Sequence, residues 1–204
     1  VPVDAVPGGA GRMGFTRHIP FGVVAAVTPF NAPINLLVQK VGPALAAGNA
    51  VVVKPHPAAT RVALQVAQLF IQAGLPAGLF NVVTGDRDAA QALVRDELVM
   101  AVTFTGGTAA GDALVRAAGA KKFLAELGSN AANIVLADAD IEAAAAVGVK
   151  ARFQNTGQSC ISSKRFIVEE SVAGRFVDTF VAITQKLVVG DPFASASTIG
   201  SMAR

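Results

Sequence analysis

One cysteine among 204 residues excludes an internal disulfide framework and a thiolate metal cluster. Cys160 is left as either a small buried hydrophobe or a reactive thiol. Long apolar runs are missing as well: Val51–Val53 and Ile134–Leu136 are typical, far short of the roughly 18 residues that a membrane span requires. Charge of one sign is scarce. Seventeen Lys and Arg face 14 Asp and Glu, and a scattered net +3 makes no basic stripe for nucleic acid, although the pI is 9.4. Neither Gly-Lys-Ser nor Gly-Lys-Thr occurs, which excludes a P-loop, and there is no internal repeat or heptad pattern. The two histidines, His18 and His56, lie far upstream of Cys160 near prolines, so a Cys–His protease pair is not expected, nor is a metal site. What remains is a soluble chain, 52% hydrophobic, able to bury an ordinary core, with the cytoplasm as its expected compartment.

The chain opens at Val1 rather than Met and stops soon after the loop signal Gly190-Asp191-Pro192-Phe193, and it is expected to be a piece of a longer protein. From residue 20 onward, short β-branched runs alternate with helical stretches. Gly22–Thr28, Asn49–Val53, Leu79–Thr84, Met100–Thr105 and Lys122–Leu127 read as strands, and their near-continuous apolar character predicts a parallel sheet covered on both faces. Thr60–Ala73 has the strongest helical face, with Thr60 expected to cap it, Gly74 to end it and Pro76 to prevent its continuation. Asp88–Val94 and Thr108–Ala118 supply weaker helices, completing an α/β alternation of Rossmann-like type with right-handed crossovers. After Leu127 the turn residues Gly128-Ser129-Asn130 mark an expected boundary: residues 1–127 form a first α/β domain, and 128–204 begin a second. That second part reads as a strand at Asn133–Leu136, an Ala-rich helix at Asp140–Phe153 opened by two acids, a strand at Lys164–Glu169 and a helix at Val172–Leu187.

Chemistry-bearing residues gather at the C-terminal ends of these strands, where open α/β sheets bind ligands. Gly106-Gly107-Thr108 follows a strand and opens a helix, which suits either close approach to a phosphate or a simple tight turn. Glu126 ends a strand and reads as a general base or as a solvated carboxylate. Lys54, just before Pro55, aims an ammonium at a ribose or phosphate, or at water. Asn31 sits in a loop restrained by Pro29 and Pro33, its amide free to donate to a developing oxyanion or to serve as a turn asparagine. Cys160, within Asn155-Thr156-Gly157-Gln158-Ser159-Cys160-Ile161, has the small polar neighbours of a solvent-reachable loop, which favours a reactive thiol.

Taken together, Thr28-Pro29-Phe30-Asn31-Ala32-Pro33, Val53-Lys54-Pro55, Phe104-Thr105-Gly106, Glu126-Leu127-Gly128 and Gly157-Gln158-Ser159-Cys160 resemble the successive signatures of aldehyde dehydrogenases over nearly the whole chain. The resemblance implies NAD or NADP as cofactor and a small-molecule aldehyde as substrate. It implies Cys160 as the thiolate nucleophile, Glu126 as the base for the deacylating water, and Asn31 beside the Cys160 N–H as oxyanion donor. The cofactor residues it implies are Thr28, Pro29, Phe30, Lys54, His56, Pro57, Gly85, Phe104, Thr105, Gly106, Gly107, Thr108 and Leu127. Pro57 replaces a carboxylate that often binds the adenosine ribose hydroxyls and repels a 2′-phosphate, so NAD and NADP both stay open. Arg87 and Gly107 stand where Gly and Ser are usual. The nicotinamide-ribose motif, the rest of the catalytic domain and the strands that build a homodimer or tetramer are expected beyond Arg204, leaving this stretch inactive alone. The neighbours of Glu126 and Cys160 resemble the branch acting on small polar aldehydes such as lactaldehyde or phosphonoacetaldehyde. Glu126 argues against transfer of the acyl group to coenzyme A, and a silent nucleotide-binding piece is the remaining alternative.

Overall fold

A computed structural model describes residues 3–203. In chain order the first elements are β1 (Val23–Thr28), α1 (Pro33–Ala46), β2 (Ala50–Pro55), α2 (Thr60–Gln72), β3 (Phe80–Val82), α3 (Arg87–Arg95), β4 (Val99–Thr105), α4 (Thr108–Ala118) and β5 (Lys122–Glu126). The five strands are parallel and lie in the order β3-β2-β1-β4-β5. The chain builds outward from β1 on one side and then restarts at β4 on the other, so strand order reverses between β1 and β4. That reversal is where an open α/β sheet splays its loops apart and leaves a crevice.

Helices cover both faces, as the apolar strands require. On one face, Leu37 and Val41 of α1 and Ala63 and Val66 of α2 close over Ala26, Val51 and Val53. On the other, Ala90 and Val94 of α3 and Leu114 and Ala118 of α4 close over Ala25, Val27, Val102 and Phe104. Each fully buried Val or Leu contributes about 1.5–3 kcal/mol of transfer free energy. Alanines at positions 25 and 26, both wholly buried, let helices approach the central strand closely.

Helix α1 escapes a pattern reading because its sequence holds Pro33 and Pro43 with Gly42 beside the second. Pro33 is harmless in the first turn, where its missing N–H would be unpaired anyway. Pro43 does remove one helical donor, and burial of Leu37 and Val41 outweighs that loss. Helix α2 starts differently from expectation: Ala59 occupies the capping position without a side-chain bond, and Thr60 is the first helical residue. Its end is as expected, because Gly74 at φ +85° lets its own N–H reach the Ile71 carbonyl and the Leu75 N–H reach that of Phe70. Strand β5 departs from the both-faces-covered expectation, since it is an edge strand with Leu124 56% exposed.

A second, two-stranded parallel sheet pairs β6 (Ala132–Val135) with β7 (Arg165–Val168), joined through α5 (Ile141–Phe153) and followed by α6 (Glu170–Thr184). Asp140 caps α5 by accepting from the Ala143 N–H at 3.0 Å, and Glu142 sits in the first turn, both favourable at the positive helix end. Val135, Ile141, Ala145 and Phe176 form this unit's core. Phe166, Phe176 and Phe180 stack within it at centroid distances of 5.1–5.8 Å, close enough to Gly148 that a Cβ there would meet Phe166 at 2.9 Å. No helix among the described residues is long and apolar enough to cross a membrane.

Candidate functional site

A cavity of about 540 Å³ opens at the reversal point, above the C-terminal ends of β1, β2 and β4. Ten residues singled out from the sequence line it: Thr28, Pro29 and Phe30 after β1; Lys54, His56 and Pro57 at the end of β2; and Phe104, Thr105, Gly106 and Gly107 where β4 turns into α4. Gly106 is a glycine of necessity, because a Cβ there would meet the Phe104 ring at 2.6 Å. No side chain caps α4, so its first N–H groups, beside Gly107 and Ala109, stay available to an acceptor in the cavity. The Thr105 hydroxyl beside the cavity is fully buried without a hydrogen-bond partner, which costs stability.

Lys54 lies within β2 rather than after it and is 5% exposed. Burial pulls its pKa below the usual lysine value, while the nearby Asp86 carboxylate pushes in the opposite direction. His56 accepts the Ala58 N–H at Nδ1 (3.2 Å) and packs against the Phe30 ring at 5.1 Å, so it is a structured wall of the cavity and not a solvated loop residue. Three nominated residues stand off the cavity. Gly85 at φ +138° shapes the turn that presents Asp86 and Arg87, both of which line the cavity. Leu127 presses on α4, where a Cβ on Gly111 would come within 2.4 Å of it, and Thr108 abuts Gly128. Asp86 and Gln91 are lining residues that the motif reading did not nominate, because they come from α3 and its cap rather than from a strand end; Arg87, noted in the sequence as standing where Gly is usual, lines the cavity beside them.

Cys160 is exposed on the loop between α5 and β7. Just before it, Asn155 (φ 53°) and Thr156 (φ 58°) adopt left-handed conformations, unfavourable for a β-branched threonine and maintained only by surrounding bonds. Those bonds run to the β1 loop. The Asn31 side-chain amide donates to the Gln158 carbonyl (2.8 Å), and the Asn155 side-chain amide donates to the Asn31 carbonyl (2.9 Å). Asn31 and the cysteine loop are therefore brought together, with a second Asn31 amide proton left over. The Cys160 backbone N–H has no acceptor among the described residues.

Glu126 ends β5, where its backbone carbonyl accepts the Gly106 N–H at 3.0 Å, so its main chain adjoins the glycine turn of the cavity. Behind it lies Lys40 of α1, donating to the Thr103 hydroxyl at 3.0 Å. Burial lowers the Lys40 pKa and the Glu126 charge raises it. Lys40 went unnoticed in the sequence because helix α1 did. Among the described residues no hydrogen bond joins the Glu126 carboxylate to the cysteine loop.

The sheet order, the glycine turn and the cavity at the reversal point define a doubly wound, nucleotide-binding type of α/β protein. The chain belongs to the aldehyde dehydrogenase family, whose pattern matches residues 2–204. It is 46% identical over its whole length to a 3-sulfolactaldehyde dehydrogenase of Priestia aryabhattai, of which it covers 43%. It is 39% identical to a lactaldehyde dehydrogenase of Methanococcus maripaludis over 92% of this chain and 42% of that protein. Among solved structures, a 3,6-anhydro-L-galactose dehydrogenase in complex with NAP superposes with a TM-score of 0.85 at 40% identity, over 89% of this chain and 39% of that one. An NAD-dependent aldehyde dehydrogenase from Sinorhizobium meliloti superposes at 0.86 and 38% identity, over 90% of this chain and 37% of that one. The chain thus spans less than half the length of these relatives.

Proposed function

We propose that the enzyme to which this chain contributes oxidises a small polar aldehyde to its carboxylic acid with NAD or NADP. The observation that carries this reading is the Asn31–Gln158 bond, which sets an amide donor beside the loop of the one cysteine. The Cys160 sulfur adds to the aldehyde carbon, forming the C–S bond, and the developing oxyanion is received by the Asn31 amide and the Cys160 N–H. NAD(P), when bound, accepts the hydride released from that carbon. A thioester on Cys160 remains. Glu126 takes a proton from water, the hydroxide attacks the thioester carbonyl, and the C–S bond breaks to release the acid and the thiolate.

The cavity fits the cofactor on its own chemistry: the uncapped α4 terminus and Lys54 stand on a shared volume suited to ribose and pyrophosphate. Its walls favour acceptance of NADP, because Pro57 offers no carboxylate to repel a 2′-phosphate and Arg87 places a cation on the same cavity. Two relatives named for lactaldehyde substrates accord with a small polar aldehyde. The working enzyme is a cytoplasmic homodimer or tetramer.

The deciding experiment is single-turnover cofactor reduction by the full-length enzyme and its Cys160→Ala variant, with and without coenzyme A. Loss of both oxidation and esterase activity in the variant is expected, with no acceleration by coenzyme A in the parent. Retained turnover in Cys160→Ala would remove the nucleophile, and acceleration by coenzyme A would favour acyl transfer over hydrolysis. In the same assay Pro57→Glu should move preference from NADP toward NAD.

A further inference from the structure

The nucleophile loop carries one cation that the proposed reaction leaves without a task. Lys164 immediately precedes β7, and its own N–H and that of Arg165 both donate to the Ala131 carbonyl at 3.1 Å, tying its backbone to the second sheet. From that anchor the side chain turns back over the loop. Its Nζ donates to the carbonyl oxygens of Ser159 (2.9 Å), Cys160 (2.8 Å) and Ser162 (3.2 Å), and lies 3.3 Å from the Ser162 hydroxyl. Among the described residues no carboxylate pairs with it. Ordering a long lysine side chain costs rotamer freedom, so its convergence on oxygens of a single loop calls for a cause.

The geometry of the Ser159–Cys160 peptide supplies one. The Ser159 carbonyl and the Cys160 N–H belong to the same planar unit and point in opposite directions. Three donors gather on that carbonyl: Lys164 Nζ at 2.9 Å, the Ser162 hydroxyl at 2.9 Å and the Ser162 N–H at 3.3 Å. Ser162 is itself buried, and the Arg152 guanidinium holds its hydroxyl at 3.0 Å. Drawing the oxygen toward Lys164 turns the Cys160 N–H away from the knot, where it has no acceptor among the described residues. A cation on the carbonyl also polarises the peptide and makes its N–H a stronger donor.

We infer that Lys164 is a positioning residue for the thiol chemistry: its ammonium gathers the carbonyls of the nucleophile loop and thereby aims the Cys160 N–H at the developing oxyanion. The inference rests on Cys160 being the nucleophile. An oxyanion donor acts on the transition state more than on bound substrate, so its disturbance lowers kcat and leaves KM nearly unchanged. Alkylation of a thiol by iodoacetamide builds no oxyanion and is insensitive to it.

The test uses the full-length enzyme with Lys164→Met, Lys164→Gln and Lys164→Arg. Aldehyde oxidation is followed for kcat and KM, and iodoacetamide labelling of Cys160 is followed by mass spectrometry of its peptide. The expected result is a fall in kcat of about tenfold or more in the Met and Gln variants, with KM held within about twofold. Labelling rates should match the parent, and Arg should restore most of the turnover. Should the Met variant fail to fold, the Gln and Arg pair carries the comparison. Equal kcat in parent and Gln variant overturns the inference, as does a labelling rate that falls in parallel with kcat. Turnover by Cys160→Ala would instead remove the functional reading beneath it.

Discussion

The Asn31 side-chain amide donates to the Gln158 carbonyl at 2.8 Å, joining the loop after the central strand to the cysteine loop across 127 residues of sequence. Asn155 returns the connection by donating to the Asn31 carbonyl at 2.9 Å. Asn31 thus holds the cysteine loop and, on the proposed mechanism, keeps a proton for the oxyanion, so Asn31→Ala removes both. A loss of about 10²–10³ in kcat is expected, the scale of a missing oxyanion donor. Steady-state kinetics of the purified variant check it, and a change confined to KM would show that Asn31 does no more than shape the loop.

Glu126 should act only after the thioester has formed. With Glu126→Gln, a neutral amide cannot deprotonate the incoming water, so the first turnover proceeds and the second stalls. Stopped-flow measurement should show a burst of cofactor reduction close to one equivalent per site, followed by little steady-state rate. Loss of the burst itself would place Glu126 in the first half-reaction.

Thr105 predicts a gain in stability. Its hydroxyl is buried and unpaired, so Thr105→Val relieves a desolvation cost and raises stability by about 1 kcal/mol. Thermal unfolding of parent and variant measures it. A variant less stable than the parent would show that the hydroxyl has a partner.

Burial lowers the Lys40 pKa below its value in the unfolded chain. Between those two values the unfolded state binds more protons than the folded one, so folding stability rises with pH across that window, up to the ordinary lysine range. At lower pH the cost of the buried charge is present in full. Lys40→Met abolishes this dependence, and the stability difference between parent and variant should shift in favour of the parent as pH increases toward 10.5. Unfolding midpoints measured for both proteins at several alkaline pH values test it. Parallel curves would show that Lys40 stays fully hydrated.

Much of the architecture is determined locally. Val51–Val53 and the run ending at Thr105 can hardly be anything but buried strands, Gly74 ends its helix because only a left-handed residue fits there, and Asp140 caps the next one. The strand-end motifs around Asn31, Lys54, Gly106 and Glu126 were legible for the same reason, since turn residues follow a short apolar run at each. Tertiary structure decided the rest. Helix α1 exists because Leu37 and Val41 find a sheet face to bury against in spite of Pro43, and with it comes Lys40 behind Glu126. Arg87 and Asp86 reach the cavity only because α3 folds back over β1 and β4, a long-range placement that no local pattern encodes. The hold of Lys164 on its own loop is short in sequence, yet it needs the backbone pinned at Ala131, just before β6. Local propensity is set by steric and hydrogen-bonding preferences within a few residues, whereas burial and charge fields depend on which surfaces the fold brings into contact.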